Sequence, residues 1–224
     1  MNNNRKALLL LLCAVLMVGA SVFGTLAYLT DTEAVTNTFS VGSVDLSLDE
    51  AKVDKMGKPD GNNRWQPTKE DLEQEYYLLP GHSYTKDPTV TVDAGSEDAY
   101  VRMMVTITYQ EEADAVFAKY GVNNWINIDA ANWRVNGNPV TTKDAAAGTV
   151  TRTYEFRYKS FVPKSNTATE LPALFTTLKV PGGVTTDEMA LLDDMTINVV
   201  AHAIQKAGFD DADAAWVAFG TQHS

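Results

Sequence analysis

The chain is almost without cysteine, and its one cysteine lies where export would remove it. Cys13 belongs to an apolar run near the N-terminus, so a protein cut after that run has no thiol. This excludes disulfides, thiolate metal sites and a cysteine nucleophile from the mature protein. Leu12 stands directly before Cys13, where a lipoprotein signal has a small residue, so we expect no lipid attachment there.

Histidine and the motifs of hydrolytic enzymes are also scarce. The three histidines, His82, His202 and His223, are widely separated, and none belongs to an HExxH motif. The sequence has no G-x-S-x-G nucleophile elbow, no phosphate-binding glycine loop and no D-x-D-x-D-G calcium loop. We therefore expect no catalytic residue, no cofactor and no metal ion. A zinc site that joins His202 to distant carboxylates is the alternative.

Positive charge is in deficit. The sequence has 18 lysines and arginines against 29 aspartates and glutamates, which gives a net charge of −11. Loss of Arg5 and Lys6 with a leader would remove two positive charges and take the value to −13. Such a surface repels nucleic acid and anionic lipid, so we expect neither as a partner. Many secreted proteins are acidic, and the charge alone does not indicate a function.

The N-terminus has the organisation of an export signal. A short basic segment precedes an unbroken apolar stretch over residues 7–18. Thr25 and Ala27 then occupy the −3 and −1 positions of a cut before Tyr28, where a signal peptidase requires small side chains. We predict a signal peptide over residues 1–27, with cleavage between Ala27 and Tyr28.

Two other outcomes stay open for this segment. Cleavage after Ala20 would use the small residues around it. An uncleaved helix over residues 7–27 would span roughly 30 Å, enough to cross a bilayer. We favour cleavage because the apolar run ends in small residues instead of a charged stop. We expect a protein that is secreted or held at the cell surface and that contacts the membrane only through an uncleaved signal.

Beyond the leader, apolar and polar residues alternate in short runs separated by Gly, Pro and Asn. A period of two predicts strands, and the stretches with helical spacing are short. We expect strands over residues 38–48, 88–92, 100–109, 125–128, 133–135, 149–159, 174–180 and 195–205. Helices are expected over residues 111–120, 186–192 and 210–219. We predict an all-β fold, an antiparallel β-sandwich with a few short helices, as a single domain over residues 28–224.

Some positions predict turns, loops or anchors. Residues 49–75 are polar and rich in Lys, Asp, Gly and Asn, which is typical of a long loop. Asn136-Gly137 is the dipeptide of a tight hairpin turn. Trp65, in the polar loop, is a candidate to bind a sugar or a partner, although a lone aromatic more often anchors its loop. Trp216 has the helical neighbours of a core residue.

Segments around the predicted cut carry a family resemblance. Residues 24–31, GTLAYLTD, and residues 38–46, TFSVGSVDL, resemble the export signal and mature start of the TasA/camelysin family. Later similar segments are LPG at 79–81, KDPTV at 86–90, GSEDAYVR at 95–102, LFTTLKVP at 174–181 and AIQKAGF at 203–209. The resemblance covers nearly the whole chain apart from residues 49–71 and 121–148.

The resemblance implies a jelly-roll-like sandwich that builds extracellular biofilm matrix fibres or a cell-surface layer. It implies three partners: further copies of the chain, an accessory matrix protein, and a dedicated signal peptidase during export. The name camelysin also implies a metalloprotease, but this sequence lacks the zinc-helix motif of such enzymes.

The mature N-terminus suggests how copies would join. Residues 28–48 are tethered at one end, and their second half alternates like a strand. Such a strand can pair in its own sandwich or complete the open sheet edge of a neighbour. We predict an assembly strand with five apolar side chains that fill slots in the acceptor: Phe39, Val41, Val44, Leu46 and Leu48. The alternative is a monomeric module that binds a surface polymer through the loops around Trp65 and Trp125.

Overall fold

Three stretches of the chain are described by the computed structural model: residues 44–66, 74–121 and 124–222. They belong to one folded unit. The predicted leader over residues 1–27, with its cleavage site between Ala27 and Tyr28, lies outside the described residues. Phe39 and Val41 of the predicted assembly strand lie outside them too.

Strands dominate the described residues. They are β1 (Leu46–Val53), β2 (Pro59–Trp65), β3 (Ser83–Thr85), β4 (Thr89–Val92), β5 (Ala99–Gln110), β6 (Trp133–Val135), β7 (Val140–Asp144), β8 (Thr149–Tyr158), β9 (Thr169–Glu170), β10 (Thr177–Lys179) and β11 (Thr196–Gln205). The helices are α1 (Asp114–Tyr120), which a 3₁₀ turn over Glu111–Ala113 precedes, α2 (Thr186–Ala190) and α3 (Ala212–Gln222). Antiparallel strands with a few short helices confirm the predicted all-β sandwich.

The strands form two main sheets that enclose one core. The larger sheet has the order β11-β5-β8-β6, with β7 also paired to β8, and the other has the order β2-β1-β4-β9. Val90 and Val92 of β4 belong to the same buried cluster as Val101, Met103 and Val105 of β5. Strands β3 and β10 form a small additional sheet. All these pairings are antiparallel.

Strand β5 is the centre of the larger sheet. It pairs with β11 on one side and with β8 on the other, over nearly its whole length. Val101, Met103 and Val105 are buried, while Arg102 and Met104 between them face the other way and are partly exposed. This is the period of two that the sequence shows. The strands predicted over residues 100–109, 149–159 and 195–205 are confirmed.

Two smaller clusters extend the core. Tyr84 of β3, Val116 of α1 and Leu178 of β10 belong to a second buried cluster. On the outer face of the larger sheet, Trp216 and Phe219 of α3 pack with Ile204 of β11. The prediction that Trp216 is a core residue is therefore confirmed.

The loop predicted over residues 49–75 is wrong where β1 and β2 occupy it. β1 continues to Val53, and the chain returns beside it as β2. Nearly every residue of β2 is exposed, since the strand lies at the edge of its sheet. Its polar sequence therefore has the composition of a loop although its backbone is paired. Alternation reveals a strand only where one face is buried.

The tight hairpin predicted at Asn136-Gly137 is also wrong. β6 and β7 both pair with β8 and, among the described pairings, not with each other. They form one interrupted strand. The Asn136 N–H still donates to the Glu155 carbonyl of β8 at 2.8 Å, and residues 137–139 bulge away before β7 begins. Gly137 permits the bulge with a φ of 68°. The dipeptide signal does not separate a turn from a bulge because both require positive φ.

Two other predicted strands are shorter in the structure. Residues 125–128 contribute a single bridge, between Ile126 and Leu178. The strand predicted over residues 174–180 is confined to β10. Apolar residues in both stretches pack in the core although their backbone is irregular. Periodicity alone does not distinguish such a segment from a strand.

The helices lie where they are predicted. Gly121, with a φ of 75°, ends α1. α2 begins with a capping box in which the Thr185 side chain and the Glu188 side chain each accept a backbone N–H. Lys119 Nζ of α1 lies 2.6 Å from the same Glu188 carboxylate, so one side chain caps α2 and joins it to α1. None of the described helices is long and apolar enough to cross a membrane.

Gly57→Ala is expected to destabilise the fold. Gly57 has a φ of 71°, and a Cβ there would lie 2.6 Å from the Cα of Tyr84. Tyr84 is fully buried and its hydroxyl donates to the Tyr77 carbonyl at 2.8 Å, so it has little room to move. We expect a loss of about 3 kcal/mol in the free energy of unfolding, measured by urea denaturation. Gly61→Ala is the matched control: Gly61 has a φ of 59° with no atom within 4 Å of the new Cβ, and should lose about 1 kcal/mol. Equal losses would contradict the clash.

Acid is expected to weaken the junction of α1 and α2. The hydrogen bond from Lys119, followed by the bond from the Thr185 N–H, lowers the pKa of Glu188 from its ordinary value of 4.5 to about 2. A carboxylate with a depressed folded pKa stabilises above its unfolded pKa, and this contribution is lost as pH falls from about 4.5 through about 2. Glu188→Gln should therefore lower the free energy of unfolding at neutral pH and have little effect near pH 2.

Urea denaturation at a series of pH values measures this difference. Asp187→Asn, which removes a carboxylate from the same turn of α2, is the control. If both variants changed the pH dependence equally, the effect would belong to the general charge of the helix and not to the Glu188 contacts.

Candidate functional site: the open edge of β11

An open sheet ends in strands whose outer backbone groups lack partners, and such edges bind further strands. The edges of the main sheets are β2 and β9 in one, and β11 and the interrupted β6–β7 strand in the other. Within the described part of the chain, β11 pairs with β5 and with no other strand. Among the described residues, one side of this ten-residue strand has no strand partner.

The other three edges carry features that oppose strand addition. β2 contains Pro59, Gly61 and Arg64. β9 is two residues long. The β6–β7 edge is broken by the bulge at residues 137–139. Short edges, prolines, charges and bulges are the features by which natural sheets avoid pairing with one another.

Strand β11 has none of these features. Its sequence, TINVVAHAIQ, contains no proline, glycine, lysine, arginine or carboxylate, although the chain as a whole carries a net charge of −11. Its valines and isoleucines favour extended backbone. An incoming strand would therefore meet continuous backbone donors and acceptors without a charged side chain on β11 to repel it.

A small cleft lies between the sheets beside β11, with a volume of about 50 Å³. Met195 and Ile197 line it from the β11 side, Ile107 from β5, and Trp125 and Leu178 from the opposite wall. The volume is too small for a drug-sized ligand, since ligand pockets measure about 300 Å³ or more. It is suited to the end of one apolar side chain.

Trp125 lines this cleft and is buried. Its indole N–H has no hydrogen-bond partner among the described residues, which costs about 1–3 kcal/mol. Arg152, also in the cleft lining, forms an ion pair with Asp114 at 2.9 Å and so is already engaged.

Helix α3 supports the sheet next to β11 from outside. The Arg102 guanidinium of β5 lies over the rings of Trp216 and Phe219, 4.4 and 4.7 Å from their centroids. Burial lowers the pKa of Arg102, partly offset by the Glu155 carboxylate that accepts its hydrogen bond at 3.3 Å. The stacked cation fastens α3 to the outer face of the sheet.

The N-terminal part of the described chain enters the fold at a fixed point. The Asp45 N–H donates to Ser96 Oγ at 3.1 Å, and that hydroxyl donates to the Asp45 carbonyl at 3.2 Å. The Asp93 N–H donates to the same carbonyl at 2.9 Å. β1, which follows, approaches β11 across the sandwich. The chain upstream of Asp45 therefore departs from an anchored position near the strand with the open edge.

The structure divides the predicted assembly strand at this anchor. Val44 is buried in the main core, and Leu46 and Leu48 of β1 pack against that core in their own subunit. Phe39 and Val41 lie outside the described residues. Three of the five predicted side chains therefore pack in the core of their own subunit. A segment that exchanges between subunits would have to lie upstream of Val44.

The other sequence candidates have ordinary structural surroundings. His202 Nδ1 lies 3.3 Å from Arg102 Nε, and its ring packs on Phe219. Within the described ranges, no group of three or more His, Cys, Asp or Glu side chains could hold a metal ion. Trp65 ends β2 and is half-buried, whereas Trp125 is buried and does not present its ring to a surface polymer.

Sequence reasoning located β11 as a strand and missed its importance as an edge. One signal was present: β11 is the longest predicted strand without any charged residue or glycine. An uncharged strand is equally compatible with a central position, where both neighbours are paired. The difference depends on which strands lie beside it, and this is a tertiary property.

Ser96→Ala is expected to loosen the anchor at Asp45. The change removes the acceptor for the Asp45 N–H and one of the two donors to its carbonyl. We expect the free energy of unfolding to fall by about 1 kcal/mol, the usual net value of such a hydrogen bond, in urea denaturation. Ser83→Ala, at an exposed serine of β3, should change it by less than about 0.5 kcal/mol. If both substitutions lowered the free energy of unfolding equally, the hydrogen bonds at Asp45 would not be an anchor of the chain.

No protein-family model, curated protein or solved structure matches this chain. Its function is therefore inferred from the open edge of β11, the cleft beside it and the residues of the chain itself.

Proposed function

We propose that this protein is a secreted structural subunit of extracellular matrix fibres or of a cell-surface layer, which assembles by strand exchange. Residues 28–43 of one subunit would pair with β11 of the next. The proposal is carried by the ten-residue strand β11, which lacks proline, glycine and charge and which, among the described residues, pairs with β5 alone. The export-like N-terminus and the resemblance of residues 24–31 and 38–46 to the TasA/camelysin family support the extracellular location and the fibre role.

The energetics of pairing require more than backbone hydrogen bonds. Alternate residues of an edge strand direct their N–H and C=O groups outward, so β11 offers about five of each. At roughly 1 kcal/mol net per bond, the ladder contributes about 10 kcal/mol at most. Ordering the backbone of ten incoming residues costs at least that much, at about 1–2 kcal/mol per residue. Apolar burial must supply the difference.

The cleft beside β11 provides a place for such burial. Phe39 and Val41 are two residues apart, so both face one side of an extended strand. Complete burial of such a side chain contributes about 1.5–3 kcal/mol. The cleft lies under Ile197 of β11, and its volume suits one of these side chains in part.

This mode of pairing produces a filament. The donor segment and the acceptor edge are different parts of the same chain, so each subunit can donate to one neighbour and accept from another. A head-to-tail contact of this kind grows without closing unless its rotation forms a ring. Growth would begin after a dedicated signal peptidase frees Tyr28 from the leader, and an accessory matrix protein would supply the first acceptor.

The length of the N-terminus tests the proposal. A chain that begins at Tyr28 is compared with one that begins at Val44, which keeps β1 and its contacts but lacks the donor. We expect filaments in negative-stain microscopy from the first, and a folded monomer, by circular dichroism and light scattering, from the second. Filaments from the shorter chain would contradict strand exchange.

The acceptor is tested separately in the chain that begins at Tyr28. Val200→Lys adds a charge to β11 at an exposed position and should slow filament growth at least roughly ten-fold, because an edge lysine opposes strand addition. Val217→Lys, at an exposed valine of α3, is the matched control and should not change growth. Equal growth rates would exclude β11 as the acceptor. A stable monomer whose β11 amides resist hydrogen exchange would show instead that residues 28–43 pair with β11 of their own subunit.

A further inference from the structure

The outer face of the larger sheet carries a regular group of threonines next to the part that α3 covers. The register across β11, β5, β8 and β7 aligns two adjacent rows of side chains on this face. One row is Thr196, Thr108, Thr151 and Thr142, and the next is Asn198, Thr106, Thr153 and Val140. We call these eight residues the threonine face.

The threonine face belongs to the solvent side of the sheet. Its residues alternate with Val105, Ile107 and Val150, which contribute to the cores. Its four members on the outer strands are exposed, while the four on β5 and β8 are partly shielded by their neighbours. Val140 is 68% exposed. No described helix or strand packs over these rows, whereas α3 packs over the row of Arg102 and His202.

The hydroxyls in the centre of the face are paired. Thr106 Oγ1 lies 3.1 Å from Thr153 Oγ1, and Thr108 Oγ1 lies 3.0 Å from Thr151 Oγ1. Each pair uses one of its two hydroxyl hydrogens internally and leaves the second hydrogen, with several lone pairs, for an external partner. The face therefore presents both hydrogen-bond donors and acceptors, together with the threonine methyl groups. Such a surface is complementary to a copy of itself.

Charge favours a second copy of this chain as the partner. The chain carries a net charge of −11, so two copies repel each other over most orientations. The threonine face contains no ionisable residue. The row on one side contains Glu155, whose carboxylate accepts hydrogen bonds from Arg157 at 2.7 Å and Arg102 at 3.3 Å. The row on the other side contains Asp144, which accepts the Ala146 and Ala147 N–H groups. Two copies that meet on the threonine face therefore place few like charges opposite each other.

Other partners fit less well. The face has no aromatic ring on which a sugar would stack. It also has no cation to bind a phosphate or an acidic polymer. A neutral surface with the same pattern of hydroxyls and methyl groups can form hydrogen bonds with the threonine face and brings no additional charge to it.

We propose that the threonine face is a lateral contact between two copies of this chain, packed face to face about a two-fold axis. With strands about 4.8 Å apart and alternate residues about 7 Å apart, four strands and two rows cover roughly 270 Å² per copy. This is below the roughly 800 Å² per partner of a standard interface, so the pair is weak in solution. It becomes significant when many copies are aligned, as along a filament, because the contacts then act together. The contact itself does not depend on strand exchange.

Single cysteines detect such a weak contact directly. The chain from Tyr28 onward has no native cysteine, so Thr106→Cys and Thr151→Cys each introduce one thiol at the centre of the face. Thr91→Cys, on β4 of the other sheet and also partly exposed, is the matched control. With a short bis-maleimide, we expect covalent dimers of at least one face variant to form roughly ten-fold faster than dimers of the control. Rates should rise from about 0.01 to 0.15 M salt, as repulsion is screened.

Several outcomes would overturn the proposal. Equal trapping at Thr106 and Thr91 would show random collision. A rate that falls with salt would indicate an ion-paired contact elsewhere. Retention of the unmodified chain on insoluble cellulose or chitin, lost in Thr106→Glu without a change in trapping rate, would assign the face to a polysaccharide. Trapped dimers from a chain that forms no filaments would support this contact and count against strand exchange, so the two proposals fail separately.

Discussion

The antiparallel register of β5 between β8 and β11 is the constraint on which the rest of the structure depends. Because pairing extends along nearly the whole of β5 on both sides, each residue of three strands is assigned to the inner or the outer face. The inner assignments place Val101, Met103 and Val105 in the core. The outer ones align Arg102 beneath α3 and the threonines in two rows. A slip of one residue would exchange the two faces, and the cost of exposing the core prevents it.

The same register leaves β11 as the end of the sheet, and the two proposed contacts then follow from different groups of atoms. The edge offers backbone N–H and C=O groups, which accept a strand in a defined direction and so favour growth along one axis. The threonine face offers side-chain hydroxyls and methyl groups across the sheet, perpendicular to that ladder. The large negative charge limits where copies can meet, and both surfaces are among the uncharged parts of the molecule.

Much of the fold could be predicted because its central strands have one buried face. β5, β8 and β11 show alternation, and α1 ends at Gly121 with the positive φ that a helix-stopping glycine adopts. The prediction was wrong for β2, whose side chains are nearly all exposed, and at Asn136-Gly137, where a bulge and not a turn uses the glycine. For the candidate site, Val44, Leu46 and Leu48 were predicted as apolar strand residues. That they fill the core of their own subunit follows from the pairing of β1 with β4, which lies far along the sequence.

The sequence by itself determined the local properties of this protein: the all-β class, the deficit of thiols and positive charge, the leader-like N-terminus and the strands that bury one face. These depend on composition and on neighbours along the chain. Only the tertiary structure decided that β11 is an edge, that a cleft lies beside it, and that threonines from four strands stand in two rows. Each of these depends on pairings between residues up to about a hundred positions apart, such as Arg102 with His202. Periodicity within one strand carries no information about its neighbours in the sheet.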